Sequence, residues 1–338
     1  MTLRGSVLGG AVLAVVLISA LQTPAHAYLK LGTSVNGRTV SLAWPARSPV
    51  RYFISDQGVD GVSAPQFREA VGRGFDAWQA VDTASASFEF GGFVGGRPLD
   101  QDGASVIGFA SRPDLERTLA STSFLIDART GEILESDIFF NSAFQWSVAP
   151  GGEAGRFDVQ SIATHESGHF LGLGHSLLGE TEPRPTGGRR LLASGAVMFP
   201  IAFTAGNIVD RELAADDIAG VSDIYPDGDF RRTTGTLQGN VTKGGKGIFG
   251  AHVVAFNLRT GDLVGGFSLD DAGAFAIAGL AAGTYIVRIE PLDDGDVESF
   301  FESTSAVDAD FKAKYYERLV TIPEGAGSVR IAVEVIAK

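Results

Sequence analysis

The chain has 338 residues, 44% of them apolar and 20% charged, with a net charge of −13 and no cysteine. That balance excludes a disordered chain and a disulfide scaffold, and the length suits two domains. The acidic excess argues against nucleic acid and anionic membrane surfaces as partners.

The first 27 residues read as a leader. Arg4 gives a positive start, residues 7–21 are an apolar run too short for a bilayer span, and Ala25-His26-Ala27 matches a small-residue cleavage pattern. The expectation is cleavage before Tyr28, export to the exterior or the cell surface, and no membrane span afterwards. An uncleaved N-terminal anchor is the runner-up.

Residues 50–54 form a short strand-like run. Over 65–78, Phe67, Val71, Phe75 and Trp78 recur at spacings of four, four and three, which predicts an amphipathic helix. Ser63 is its candidate N-cap, and Pro65 falls in the first turn. Residues 86–90, 105–109, 121–126 and 135–141 are strand-like, with a turn at Thr130-Gly131.

Asp158 then caps a helix whose Val159, Ala163 and Phe170 lie in one apolar stripe. On that helix, residues 165–175 read HESGHFLGLGH and hold three of the five His in the chain. His165 and His169, four apart, project from one face towards one metal ion. His175 is ten residues, nearly three turns, beyond His165, so the chain must leave the helix to bring it back. Gly172 stands where that reversal is needed. Three imidazoles and an open position suit a catalytic zinc, and Glu166 is placed to take a proton from its water. An HExxH alone also occurs in ordinary helices; the extended spacing is far more specific. Met198 sits in Gly195-Ala196-Val197-Met198-Phe199-Pro200, and Leu213, Asp217, Ile218, Val221 and Ile224 predict a helix over 210–225, stopped by Pro226.

The pattern HExGHxxGxxHS, with Ser176 after the third His and the Met198 turn downstream, resembles the metzincin zinc endopeptidases and their matrixin branch. The resemblance implies an α+β catalytic domain, a twisted mixed sheet plus about three helices. It implies one catalytic Zn(2+) on His165, His169 and His175, Glu166 as the base, and Met198 as a packed floor beneath the metal. It makes 135–141 the sheet edge beside the cleft, where an extended substrate pairs. Pro200 and Ile201 become one wall of the specificity pocket, which predicts an apolar side chain after the scissile bond. Asp216 and Asp217 are structural. Latency through a cysteine is excluded, because there is none. His175 and Met198 stand further apart than in typical matrixins, and the Pro, Gly and Arg content of the extra segment, 177–194, predicts an exposed loop near the primed side, restricting access or open to nicking. No second zinc is expected. Ca(2+) is an open cofactor expectation, through acidic residues such as Asp100 and Asp102, with no diagnostic spacing.

Beyond Pro226 the composition turns to short β-rich runs: 235–241, 252–258, 263–269, 274–278, 284–289, 319–322 and 329–336. Seven strands in about a hundred residues predict an all-β sandwich over 230–338, following a catalytic domain over 28–229. This part resembles the carboxypeptidase-regulatory-like, prealbumin-type domains. His252 is expected to be a packed strand residue and not a ligand. The acidic stretch 292–316, with Phe300-Phe301 and Tyr315-Tyr316, interrupts the rhythm as a long packed excursion. The leading reading is a secreted zinc endopeptidase acting on proteins or peptides. The alternative is a surface or matrix binding protein whose metal site is structural or vestigial. No feature predicts an oligomeric state.

Overall fold

The computed structural model describes residues 13–17, 30–35, 38–45, 49–185, 189–292, 301, 307–325 and 327–338. Arg4, the Ala25-His26-Ala27 pattern, Tyr28 and Phe300 lie outside the described residues. Among those described, no helix is long and apolar enough to cross a membrane.

The N-terminal part is built from β1 (Leu13–Leu17), β2 (Gly32–Val35), β3 (Arg38–Ser41), β4 (Val50–Ser55), α1 (Ala64–Gln79), β5 (Phe88–Val94), β6 (Ser105–Ala110), β7 (Ala120–Asp127) and β8 (Glu132–Asn141). There follow β9 (Trp146–Ser147), β10 (Phe157–Asp158), α2 (Val159–Phe170), β11 (Gly179–Pro183), β12 (Arg189–Ser194) and α3 (Ala215–Ile224). One mixed sheet runs β1-β7-β8-β6-β4-β5. Within it β5, β4, β6 and β8 are parallel, and β7 is antiparallel to β8.

The predicted α1 forms for the reasons its pattern gives. Ser63 is the N-cap, and its N–H donates to Gln66 Oε1 at 3.0 Å. Phe67, Val71, Phe75 and Trp78 are all buried. At Gly74 an added Cβ would stand 3.0 Å from the Ala163 carbonyl carbon, so this glycine lets α1 pack closely on α2. Trp78 Nε1 donates to the Thr164 carbonyl at 2.8 Å, tying α1 to the turn just before His165.

Three expectations are corrected. The strand beside the cleft is β7, whose Ala120 and Ser121 line it, whereas β8 lies between β7 and β6. The unbroken apolar run Ile138-Phe139-Phe140 is buried throughout, the pattern of an interior strand. Segment 177–194 is a β-hairpin and not a loop: β11 and β12 pair antiparallel, and Leu177, Leu178 and Leu191 are buried beneath it. The helix expected over 210–225 is shorter. A 3-10 turn occupies Val209–Arg211, and Asp217 accepts the Ala214 N–H at 2.9 Å, which starts α3 at Ala215. The strand β1 falls inside the predicted leader and lies antiparallel along β7. An open strand edge offers unpaired N–H and C=O groups, and an apolar segment is a ready partner for them.

On β8, Asp137 ties down the 99–106 loop by accepting the Leu99 N–H at 2.6 Å and the Val106 N–H at 2.7 Å. Leu99 sits at φ +84, a left-handed conformation that these bonds hold in place. Burial pushes the Asp137 carboxyl up to about 7, against the pull of those two N–H groups. Its folded pKa lies above the unfolded value of 3.8, so the native state binds the extra proton. Its contribution is present at acid pH and is lost as pH rises towards 7. Asp137→Asn removes this titration. Urea unfolding at pH 5 and pH 8 is therefore expected to show wild type losing about 1 kcal/mol or more relative to the variant on going to pH 8. An equal difference at the two pH values refutes the assignment.

After a single turn of helix, α4 (Phe230–Thr233), the chain is all β: β13 (Gly235–Lys243), β14 (Lys246–Gly247), β15 (His252–Asn257), β16 (Leu263–Phe267), β17 (Ala274–Leu280), β18 (Gly283–Glu290), β19 (Lys314–Tyr315), β20 (Val320–Ile322) and β21 (Ser328–Val335). One sheet holds β14-β13-β17 with β21 on β13; the other holds β16-β15-β18-β19 with β20 on β18. An α+β unit is thus followed by a β unit. Their apolar residues merge: Trp78, Leu173, Met198 and Val221 share one buried cluster with Leu237, Val253 and Ile277. His252 is buried on β15, with Nδ1 3.0 Å from Glu290 Oε1. Of the 292–316 excursion, Phe301 and Phe311 are buried, and β19 pairs with β18.

Candidate metal centre and cleft

The N-terminus of α2 is fixed twice. Asp158 accepts the Ser161 N–H at 2.8 Å, and the same carboxylate takes Arg211 in a fork, Nη2 to Oδ1 at 2.6 Å and Nε to Oδ2 at 2.9 Å. The far end stops at Leu171. Gly172 has φ +93, and the Leu173 N–H folds back onto the Gly168 carbonyl at 3.0 Å. That reversal returns His175 to the face carrying His165 and His169.

The ligand atoms of His165, His169 and His175 lie within 4.8 Å of one another, and His169 Nε2 stands 3.1 Å from His175 Nε2. His165 Nδ1 donates to the Val197 carbonyl at 2.7 Å, and His169 Nδ1 to the Leu173 carbonyl at 2.8 Å. Each backbone acceptor sets its ring's tautomer and leaves the Nε2 lone pair for a metal. Burial keeps both rings neutral, and for His169 the neighbouring His175 and His165 add to it. A neutral imidazole is the form that ligates. The donor set therefore fits a divalent zinc-type ion.

Glu166 is buried beside the triad. Its Oε2 accepts from Thr122 Oγ1 at 2.6 Å, and burial pushes its carboxyl up to about 7 against that bond. Met198 lies beneath: a Cβ at Gly168 would fall 2.2 Å from its Sδ. The turn bearing Met198 is held by Asp217, which accepts the Val197 N–H at 2.8 Å and the Met198 N–H at 3.1 Å. Since Val197 also orients His165, Asp217 acts on that ligand through one intervening residue. Asp217 and the adjacent Asp216 are both buried, and burial pushes their carboxyls up to about 6 and about 7.

The triad and Glu166 open onto a cleft of about 980 Å³. Its walls include Ala120 and Ser121 at the start of β7, Pro200 and Ile201 beyond Met198, and Arg184 and Arg189 from the β11–β12 hairpin. His165, Glu166, His169, His175, Pro200 and Ile201 thus line one cleft with Met198 beneath the helix, while Asp100 and Asp102 are not among its lining residues. Thr122 and Arg211 were not expected. Strand alternation alone does not distinguish a threonine that grips a carboxylate from one that lines a sheet. Among the described residues the triad is the one group of three or more His, Asp or Glu side chains that converges for a metal; Asp102 accepts the Ala104 N–H at 3.0 Å in its own turn.

Residues 43–182 match the family model described as Matrixin, of the peptidase M10 group. Metalloendoproteinase 5-MMP of Arabidopsis thaliana is 42% identical over 77 residues, covering 21% of this chain and 16% of that protein. Metalloendoproteinase 1-MMP of the same plant is 27% identical over 192 residues, covering 53% and 43%. Matrix metalloproteinase-20 of Homo sapiens is 32% identical over 95 residues, covering 28% and 16%. The chain spans less than half the length of these relatives. The matched stretch, which includes α1, α2 and the converging His triad, is thus similar to a matrixin catalytic domain.

Proposed function

We propose that the protein is an exported zinc endopeptidase that hydrolyses peptide bonds in extended polypeptides. One observation carries the reading: three imidazoles bring their ligand atoms within 4.8 Å of one another beside a buried carboxylate, at the floor of an open cleft. When bound, zinc supplies Lewis-acid polarisation and an acidified water. His165, His169 and His175 would hold it. Glu166 removes a proton from the attacking water and delivers it to the departing amine. Thr122 Oγ1 keeps that carboxylate in one rotamer. The open start of β7 offers backbone groups to an extended substrate. The leader pattern supports export. The strand succession after Gly235 supports placing the β unit with the regulatory-like sandwich domains.

Casein hydrolysis by purified residues 28–338 tests the reading. Activity is expected to vanish with a chelator and to return with zinc. A protein that holds zinc and cleaves no protein or peptide offered would instead favour a binding module with a structural metal site. Pro200 and Ile201 present apolar surface to the cleft, so peptide-library profiling is expected to show an apolar side chain directly after the scissile bond. Selection of charged residues at that position would overturn the assignment of this wall.

A further inference from the structure

We propose that Asp216 is a positioning residue through which the β unit holds the third metal ligand in place. The inference rests on the metal-centre reading and adds a role for the C-terminal part of the chain.

His165 and His169 ride on α2, and their rings are braced by backbone carbonyls. His175 lies beyond the Gly172 reversal, where no helix fixes it. The next residue, Ser176, is tied down by three hydrogen bonds. Its N–H donates to the Met198 carbonyl at 2.9 Å, its Oγ donates to Asp216 Oδ2 at 2.6 Å, and its Oγ accepts the Leu178 N–H at 3.2 Å. The other oxygen of Asp216, Oδ1, accepts the N–H of Gly265 at 2.8 Å. Gly265 belongs to β16, so one buried carboxylate joins the ligand loop to the β unit.

The surroundings make this link rigid. Asp216 and Ser176 are both buried, which removes water as a competing partner. Leu178, Ala196 and Val254 form a shared apolar cluster with Leu263 beside it. Gly265 itself has no room for a side chain. An added Cβ would stand 2.8 Å from His252 Nε2 and 3.4 Å from Leu178, so β16 approaches the ligand loop as closely as a backbone can. A lost partner leaves a buried donor unpaired. Displacing β16 therefore loosens Asp216 and, through it, Ser176, the residue next to His175.

The test uses residues 28–338 and reads metal affinity, with no need for turnover. Zinc affinity is measured by competition with a chelating dye, and cobalt(II) is added as a spectroscopic probe of ligand geometry. Asp216→Ala and Ser176→Ala are each expected to weaken zinc binding about 10–100-fold with unchanged far-UV circular dichroism, and to alter the cobalt absorption bands. Asp216→Asn keeps an acceptor for Gly265 and a polar partner for Ser176, and is expected to restore affinity to within a few-fold. Linkage requires the reverse effect: zinc should slow hydrogen exchange at the Gly265 amide in wild type and not in Ser176→Ala. If Asp216→Ala does not fold, Ser176→Ala carries the test, since it leaves the Asp216–Gly265 bond in place. Folded alanine variants that bind zinc within about twofold of wild type, or a Gly265 amide indifferent to zinc in wild type, overturn the proposal. A wild-type chain that takes up no zinc sinks the metal-centre reading itself, a different result.

Discussion

Glu166→Gln is expected to lower kcat for peptide hydrolysis by about 10²–10⁴-fold while zinc content stays at the wild-type level. The two readouts separate because of where the side chain sits. Glu166 follows His165 on α2 but is not among the three residues whose ligand atoms converge. Its Oε2 is engaged by Thr122 Oγ1, and the residue is buried. Gln preserves volume and keeps an oxygen acceptor for Thr122, so the helix and the triad have no reason to move. What disappears is a group able to accept a proton and give it up again. KM should change little, because the carboxylate acts on the reacting atoms and not on the substrate's flanking side chains. Zinc is quantified by elemental analysis of the same preparation used for kinetics. A zinc-replete variant within about tenfold of wild type would remove Glu166 from the role of base.

Much of this site was legible in the chain because its parts are local. The His165, His169 and His175 spacing, the Gly172 reversal and the Asp158 cap all act within a few turns of one helix. The β unit was legible as well: seven runs of alternating apolar residues coincide with β13, β15, β16, β17, β18, β20 and β21. What escaped depends on contacts between distant segments. Thr122 and Glu166 are 44 positions apart, and nothing in strand alternation marks that threonine. Asp216 and Gly265 are 49 apart, and a backbone N–H has no signature in sequence at all. The β7–β8 exchange arose because strand alternation does not tell which strand of a sheet lies beside the cleft. Segment 177–194 read as a loop from its Pro, Gly and Arg content, but Pro183, Arg189 and Arg190 pair across β11 and β12. The leucines at its base decide the structure by burying against the β unit, where Leu178 joins Val254 and Leu177 joins Phe267.

Gly172→Ala should damage the centre without touching a ligand. The residue has φ +93, outside the region that a side chain tolerates, and its added Cβ would stand 2.3 Å from the Leu42 carbonyl oxygen. Left-handed backbone costs an alanine about 1–2 kcal/mol. The clash adds to this, because Leu42 is buried and the atom in the way is backbone, which cannot rotate aside. The same carbonyl-rich corner is knitted further by the Leu31 N–H donating to Gly172 O at 2.8 Å. Relief must therefore come from the 172–175 segment, which carries His175. A loss of about 2–4 kcal/mol in unfolding free energy is expected, at the upper end of ordinary single substitutions, together with weakened zinc binding. Gly155 supplies the control. Its φ is +80, and nothing lies within 4 Å of an added Cβ. Gly155→Ala bears the conformational cost alone, so its loss should stay near 1–2 kcal/mol with zinc affinity intact. If the two variants prove equally stable and equally competent for zinc, the close approach to Leu42 is not what turns the chain back towards the metal.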